Sequence, residues 1–258
     1  MFKIINLLLP CTLLTSFVLI ANVNTQLLIN VKNQGGDVLQ ETITANTSED
    51  TVTLEFQGSD GTLITQLIDF TTETQILKAL VLGEEERGQS QYQVMCFVCH
   101  VGKDEFISSD AMSKLRQKNP GTLRVPETEK KKERFDMDMW VETGRSSQIS
   151  RHIGGLCAEA SDATYTRRAD LVAWSRAQGR AIEGVRPTPS GAGRCREAKS
   201  PWVPCVCHLE TCIAWYPCAL KYCRAKDGSS YRCGIRTCRK CHLYAYHVRQ
   251  KQLCLWDE

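Results

Sequence analysis

The sequence predicts an α+β domain followed by a small module held together by disulfide bonds. Three observations support this. Strand patterns come first with two helix patterns among them, ten of the 14 cysteines crowd into residues 195–258, and a Gly- and Pro-rich segment separates the two regions. We therefore divide the chain into a leader (1–25), a first domain (26–178), a linker (179–194) and a cysteine-rich domain (195–258).

The leader has the pattern of a secretory signal peptide. Lys3 precedes an apolar run over 4–21, and small residues follow before Gln26. Polar residues and Pro10 interrupt the run, so it suits a membrane span of about 20 apolar residues poorly. We expect cleavage before Gln26, no membrane span afterwards, and a secreted, extracellular chain. Cys11 would leave with the leader, so an odd cysteine remains.

Strand patterns dominate the start of the first domain. Val52, Leu54 and Phe56 alternate with polar residues, as expected of a strand with one buried face. Gly and Asp at 58–61 indicate a hairpin turn. We predict strands over 51–56, 63–70 and 91–100, turns over 58–61 and 83–88, and either a helix or a strand over 76–82.

Two helices are predicted in the rest of this domain. Ser108 or Ser109 caps a short helix that Asn119-Pro120 ends, and 153–178 predicts a long helix that stops at Gly179. Between them, the basic run 130–134 predicts a solvated polar loop, with a processing site for a convertase as the alternative.

The cysteine-rich domain is too small for a large apolar core, so cross-links are expected to replace one. It holds 11 Lys and Arg against 5 Asp and Glu, whereas residues 26–194 hold 20 against 24. The formal charge of the whole chain, +3, is too small to indicate a nucleic-acid partner. Spacing alone does not select a disulfide connectivity.

Several cysteine motifs suggest other chemistry. C-x-x-C-H occurs at 96–100 and 238–242, the signature of covalent haem, and Cys205, Cys207 and His208 with Cys238, Cys241 and His242 would supply zinc ligands. A strand over 91–100 places Cys96 and Cys99 on opposite faces, which opposes haem attachment and a redox pair. We expect no enzyme activity, metal or cofactor; a secreted cysteine-dependent enzyme or metal-binding protein is the alternative.

Aromatic and basic residues interleave in the cysteine-rich domain, as they do in interface hot spots. We predict a binding patch for an extracellular protein or an anionic glycan at Trp215, Tyr216, Arg236, Arg239 and Lys240. The alternative is that the aromatic rings pack on disulfides while the cations are solvated. In the first domain, the sequon at Asn46 predicts a glycosylation site on a turn.

Several motifs resemble the Out at first protein family, and the match extends over nearly all of the mature chain. They are CFV at 96–98, AMSKLRQKNP at 111–120, CAEA at 157–160, PCVCH at 204–208, AWYPC at 214–218, YRCGIR at 231–236 and QLCLWDE at 252–258. The resemblance implies a secreted protein of animal development with a BRICHOS-like first domain. It also favours a strand over 76–82 and supplies no catalytic residues.

The resemblance further implies a bond between Cys96 and Cys157. Cys99, Cys212 and Cys241 look like additions to the family pattern, so that Cys212 and Cys241 would form a further bridge. Cys99 would then be a free thiol or link two chains into a dimer. The cysteines expected in disulfides are thus Cys96, Cys157, Cys195, Cys205, Cys207, Cys212, Cys218, Cys223, Cys233, Cys238, Cys241 and Cys254.

These observations favour a secreted, non-enzymatic interaction protein with two competing mechanisms. In one, the sheet of a BRICHOS-like domain holds an extended, β-prone client, by analogy of fold alone. In the other, the basic module docks on a receptor or matrix partner.

Overall fold

The computed structural model describes residues 25–32, 35–117, 119–254 and 256–257. The predicted signal peptide lies, except for Thr25, outside the described residues. The described part contains the α-helices α1 (Ser109–Ser113), α2 (Ile153–Leu156) and α3 (Arg168–Gln178). Its strands are β1 (Thr25–Lys32), β2 (Val38–Asn46), β3 (Thr51–Gln57), β4 (Leu63–Asp69), β5 (Thr74–Leu82), β6 (Tyr92–His100), β7 (Leu123–Arg124), β8 (Thr128–Glu129), β9 (Glu133–Met137), β10 (Met139–Val141), β11 (Thr164–Thr166), β12 (Val185–Pro187), β13 (Cys205–Arg224) and β14 (Ser230–Val248).

Ten of these strands form one large sheet, in the order β12-β10-β11-β6-β5-β4-β3-β2-β1-β7. The strands β1 to β6 are an antiparallel meander, in which each strand pairs with the next along the chain. Residues 76–82 belong to β5, where Ile76 and Leu77 are both buried because the two faces of the sheet are covered. A strand buried on both faces gives a continuous apolar run, which is why its period was ambiguous.

The predicted α+β fold class is wrong, and the BRICHOS-like layout is not supported with it. The chain is mostly β, and its three described helices have only 5, 4 and 11 residues. The predicted helix over 153–178 breaks after Leu156, and Thr164–Thr166 pairs with β6 as a parallel strand before α3 begins. The hydrogen bonds of Thr164–Thr166 to β6 stabilise a strand there more than the weak helical pattern stabilises a helix.

Two smaller expectations also need correction. The helix that was expected to run to Asn119-Pro120 ends after Ser113. The basic run at 130–134 is only partly a loop, because β9 begins at Glu133 and pairs with β14 in parallel.

The second sheet is built on a long hairpin, here called the ribbon, which consists of β13 and β14 with 20 and 19 residues. Asp227-Gly228 forms its turn, with Gly228 at a φ of 82° and its N–H donated to the Ala225 carbonyl. The short strands β8 and β9 pair in parallel with β14 along one edge.

The ribbon covers one face of the large sheet. Leu77, Phe97 and Cys99 lie on this face, in one buried cluster with Tyr244 and Tyr246 of β14. The ring of Phe97 stacks on Tyr244 at 4.3 Å between centroids and meets Tyr246 edge-on at 5.1 Å. The helices α2 and α3 cover part of the opposite face.

A buried carboxylate also connects the large sheet to the ribbon. Pairing of β13 with β14 shifts register between Ile213 and Tyr216, which turns two backbone N–H groups away from β14. Ala214 N donates to Glu41 Oε1 at 2.9 Å, and Trp215 N donates to both Glu41 oxygens at 3.2 Å. Glu41 is fully buried, and this burial raises its pKa to about 7, although the two hydrogen bonds oppose the rise.

We expect Glu41 to make the free energy of unfolding depend on pH. The folded chain holds the Glu41 proton more tightly than the unfolded chain. The contribution of this group to the free energy of unfolding is therefore lost as the pH rises from 4.5 to about 7. Glu41→Gln keeps an acceptor oxygen and does not titrate. Relative to the parent, its free energy of unfolding should rise over that range by up to about 3 kcal/mol, at about 1.4 kcal/mol per pKa unit.

Denaturant titrations of both proteins between pH 4.5 and 8 measure this difference. Glu55→Gln, an exposed site on β3, is the control and should follow the parent at every pH. A constant difference between Glu41→Gln and the parent across the range would contradict the assignment.

Candidate functional site

All ten cysteines of the cysteine-rich domain are paired with one another. The bonds are Cys195–Cys205, Cys207–Cys254, Cys212–Cys241, Cys218–Cys238 and Cys223–Cys233. A sixth bond joins Cys96 on β6 to Cys157 after α2, the pair that the family resemblance implies. Three of the bonds, at 212–241, 218–238 and 223–233, link β13 to β14 and hold the ribbon together along its length.

These bonds engage the sulfur atoms on which the alternative chemistries depend. The four cysteines considered as zinc ligands are each bonded to another cysteine. The C-x-x-C-H motif at 96–100 lies on β6, and its two cysteines belong to the buried clusters on opposite faces of the large sheet. This arrangement does not bring both sulfurs to one haem edge.

Cys99 is the free thiol among the described cysteines, and it is 2% exposed. Burial raises the pKa of this thiol, and the charge of Asp170 adds to the rise. A thiol held in this form is a poor nucleophile, because thiolate is the reactive species. The dimer hypothesis required an exposed Cys99, and the folded chain does not provide one.

The predicted binding patch does not form one surface. Trp215 and Tyr216 of β13 are buried, and Lys240 of β14 is buried beside them. Arg239 donates to Glu129 Oε1 at 2.8 Å, which leaves Arg236 as the exposed member. The prediction of a patch from these five residues is therefore wrong, because the base of the ribbon packs inward against the large sheet.

Lys240 and Tyr216 instead line a charged cavity of about 400 Å³ between β6, β9 and the ribbon. Lys240 Nζ donates to Glu105 Oε2 at 2.8 Å. Burial alone would raise the pKa of Glu105, but the hydrogen bond and charge of Lys240 hold it below its usual value. His242 Nε2 lies 3.6 Å from Glu133 Oε2, and burial lowers the pKa of His242. The ion pair of Lys240 with Glu105 thus lies inside this cavity and connects β14 to the segment after β6.

The exposed aromatic and basic residues lie at the far end of the ribbon, over 222–236, which we call the tip. Tyr222 and Tyr231 are 61% and 51% exposed. Four cations are also exposed there, and no ion pair engages them within the described residues; they are Arg224, Lys226, Arg232 and Arg236. Asp227 is the single acid of the tip. Ser229 donates to its carboxylate from both N and Oγ, at 2.9 and 2.6 Å.

The register of the ribbon places part of this set on one face. Tyr222 lies opposite Arg232, and Arg224 lies opposite Ser230. Because alternate residues of a strand share a face, Tyr222, Arg224 and Arg232 project on the same side. The bond between Cys223 and Cys233, with Cα atoms 5.7 Å apart, fixes this arrangement next to the turn.

Cations nearer the large sheet are neutralised by acids of the first region. Lys221 pairs with Glu127, and Arg239 pairs with Glu129. Four exposed cations of the cysteine-rich domain therefore lie together at the tip. The Asp-Gly turn at 227–228 is the sequence signal that could have located the tip, since this dipeptide favours a hairpin.

Two models of known protein families match this chain. A family model described as "Out at first" matches residues 25–174, and one described as "Out at first, C-terminal" matches residues 194–258. The chain belongs to the Out at first family. This confirms the resemblance that was drawn from the sequence motifs.

Two curated relatives, both named "Out at first protein", show how far the similarity extends. The one from Drosophila virilis is 58% identical over 253 residues, which cover 91% of this chain and 83% of the relative. The one from Drosophila melanogaster is 58% identical over 254 residues, which cover 91% of this chain and 52% of the relative. The chain thus spans about half the length of this second relative. No solved structure matches the present chain.

We expect one free thiol per chain in a protein that begins at residue 26. After denaturation without reductant, a thiol reagent should titrate one group, namely Cys99, and Cys99→Ala should give none. In the native protein the reagent should react far more slowly, because Cys99 is buried. Three or more thiols in the denatured protein would contradict the disulfide assignment and favour the metal or enzyme alternatives.

Proposed function

We propose that this member of the Out at first family is a secreted, non-enzymatic interaction protein whose tip binds an anionic extracellular partner. The observation that carries the proposal is the set of exposed, unneutralised cations and tyrosines on a disulfide-fixed hairpin. Such residues attract anionic surfaces and provide contact area when bound.

Secretion is supported by the disulfides together with the signal pattern of the leader. Six disulfides join twelve cysteines of one chain, and disulfides persist in oxidising compartments. No described helix is both long and apolar enough to cross a membrane. A developmental role follows from the resemblance alone and is part of the proposal.

A sulfated glycan is the partner that the tip fits best. The tip is a two-stranded ribbon whose exposed surface carries four cations, so charge contributes more to it than apolar area does. Its cations project from both strands and around the turn, at 224, 226, 232 and 236. A flexible polyanion can contact all of them, and release of its counterions drives such binding.

The environment of the reactive side chains supports a non-enzymatic role. Cys99 is held as a thiol by burial, and the other cysteines within the described residues are bonded. His242 is buried and engaged by Glu133, while His100 lies 3.3 Å from Glu73. These residues form structural contacts. The chaperone mechanism depended on the BRICHOS-like layout and is not carried forward.

We expect the tip to determine retention on immobilised heparin, the polyanion used as probe. Replacing Arg224, Lys226, Arg232 and Arg236 together by Ala should lower the salt concentration of elution and weaken binding at least tenfold. If all four contact the glycan, the slope of log affinity against log salt should fall by about 3. Elution chromatography and titration at several salt concentrations measure both effects.

The matched control removes four exposed cations elsewhere, by replacing Lys131, Arg176, Arg196 and Lys199 with Ala. This variant has the same net charge as the tip variant and should elute close to the parent. Equal losses in the two variants would show that only net charge matters, and unchanged retention of the tip variant would remove the tip as the site.

We also propose that Asn46 carries a glycan. It lies at the end of β2, and Ser48 Oγ donates to Asn46 Oδ1 at 2.7 Å within the turn. Expression of the full chain in animal cells should yield a secreted protein whose mass falls on treatment with an N-glycosidase. Asn46→Gln should remove that difference, and a parent protein of unmodified mass would contradict the proposal.

A further inference from the structure

A second cavity lies on the side of the ribbon away from the tip, between β6, β10, β11 and the end of β14. Its volume is about 310 Å³, within the range of small-molecule sites, about 300–1,000 Å³. We call it the aromatic cavity, because Trp140, Tyr165 and Tyr246 line it together with the aliphatic side chains of Val94 and Val248.

Contacts behind the walls hold the aromatic rings in place. Tyr165 Oη donates to the His247 carbonyl oxygen at 2.8 Å, and the His247 ring meets Trp140 edge-on at 5.6 Å between centroids. The guanidinium of Arg186 lies 4.8 Å from the centroid of the Trp140 ring. The cavity is thus formed by side chains that are fixed before any ligand arrives, which lowers the entropic cost of binding.

His247 supplies a polar group without a partner. His247 is one of the lining residues, its ring lies against Trp140, it is 6% exposed, and its Nδ1 has no hydrogen-bond partner. Burial lowers the pKa of His247, and the nearby charge of Arg249 lowers it further, so the ring is neutral at pH 7. A buried polar atom without a partner is costly, and a ligand that hydrogen-bonds to it would remove that cost.

The charged residues at the cavity neutralise each other. Arg249 donates to Asp162 Oδ2 at 2.8 Å, and both residues line the cavity. Tyr92 and Leu253, also in the lining, are 48% and 40% exposed and give the opening an apolar edge. A ligand that enters by this edge meets apolar surface and no unpaired charge among the lining residues.

We propose that the aromatic cavity binds a small, uncharged, mainly apolar molecule with one hydrogen-bonding group directed at His247. The rings of Trp140 and Tyr165 would contact its apolar body. This activity is separate from glycan binding, since the cavity and the tip share no residue.

The probe for this test is 1-aminoanthracene, a neutral molecule of three fused rings with one amino group. Added to the full mature chain, it should show enhanced, blue-shifted fluorescence that saturates at one molecule per chain. Tryptophan excitation should transfer energy to the bound dye. In Trp140→Phe this transfer should fall by more than half while dye affinity changes less than threefold, which places the dye beside residue 140.

Filling the cavity should abolish binding. Ala163→Phe adds a ring to the lining and should weaken dye binding at least tenfold, whereas Ala177→Phe, the same change at an exposed site on α3, should bind as the parent does. His247→Phe removes the nitrogen and keeps an aromatic ring, so we expect affinity to fall about three- to tenfold. Retention of Ala163→Phe on heparin should match that of the parent.

Three results would overturn the proposal. They are failure of the parent chain to bind the dye, undiminished energy transfer in Trp140→Phe, or equal affinity of the parent and Ala163→Phe. The last result would place the dye on another apolar surface, such as that around the exposed Trp202. If Ala163→Phe does not fold, Trp140→Phe and His247→Phe decide the question by the same criteria.

Discussion

Packing of the ribbon against one face of the ten-stranded sheet is the interaction on which the rest of the structure depends. An isolated two-stranded hairpin is marginally stable in water, and an uncovered sheet face would expose its apolar residues. The sheet and the ribbon stabilise each other through two contacts. The rings of Phe97 and Tyr244 stack, and backbone N–H groups at the bulge in β13 donate hydrogen bonds to Glu41. The disulfides add to this packing by holding the two strands of the ribbon in register.

This packing also determines which residues remain for binding. The base of the ribbon faces inward, so its aromatic residues become core and its cations pair with acids such as Glu105 and Glu129. The tip extends beyond the covering contacts and keeps its charges exposed. At the opposite end of β14, the same packing leaves the aromatic cavity between the two sheets. Two separate binding surfaces thus follow from one structural arrangement.

The sequence predicted the strands of the meander well and the helices poorly. Observed strands at Thr51–Gln57, Leu63–Asp69 and Tyr92–His100 agree closely with the expected ranges, because one-sided or two-sided burial produces a clear apolar pattern. The segment 153–178 fits a helix locally, but hydrogen bonding of Thr164–Thr166 to β6 is a long-range effect that local periodicity does not contain. The strands of the ribbon were not predicted from the sequence. Their alternating buried positions include Cys205 and Cys207, and a cysteine is less clear evidence of an apolar strand face than Val or Leu.

For the functional residues, too, the sequence predicted the residue types but not the long-range contacts. Residue types predicted an aromatic and basic surface in the cysteine-rich domain. Tyr216 and Lys240 are buried instead, against Phe106 and Glu105, which are more than 100 residues away in sequence. Only the fold separates the neutralised cations from the exposed ones. The charge counts of the two regions did not reveal that acids of the first region, Glu127 and Glu129, pair with Lys221 and Arg239.

Denaturant-dependent hydrogen exchange of the mature chain tests most directly whether the sheet and the ribbon stabilise each other. Amides of β6 and those at 244–248 of β14 should show the same free energy of opening and respond equally to denaturant, while amides of the tip exchange at lower free energy. Distinct free energies for β6 and for residues 244–248, each with its own denaturant dependence, would show that the two sheets unfold independently and would contradict this account.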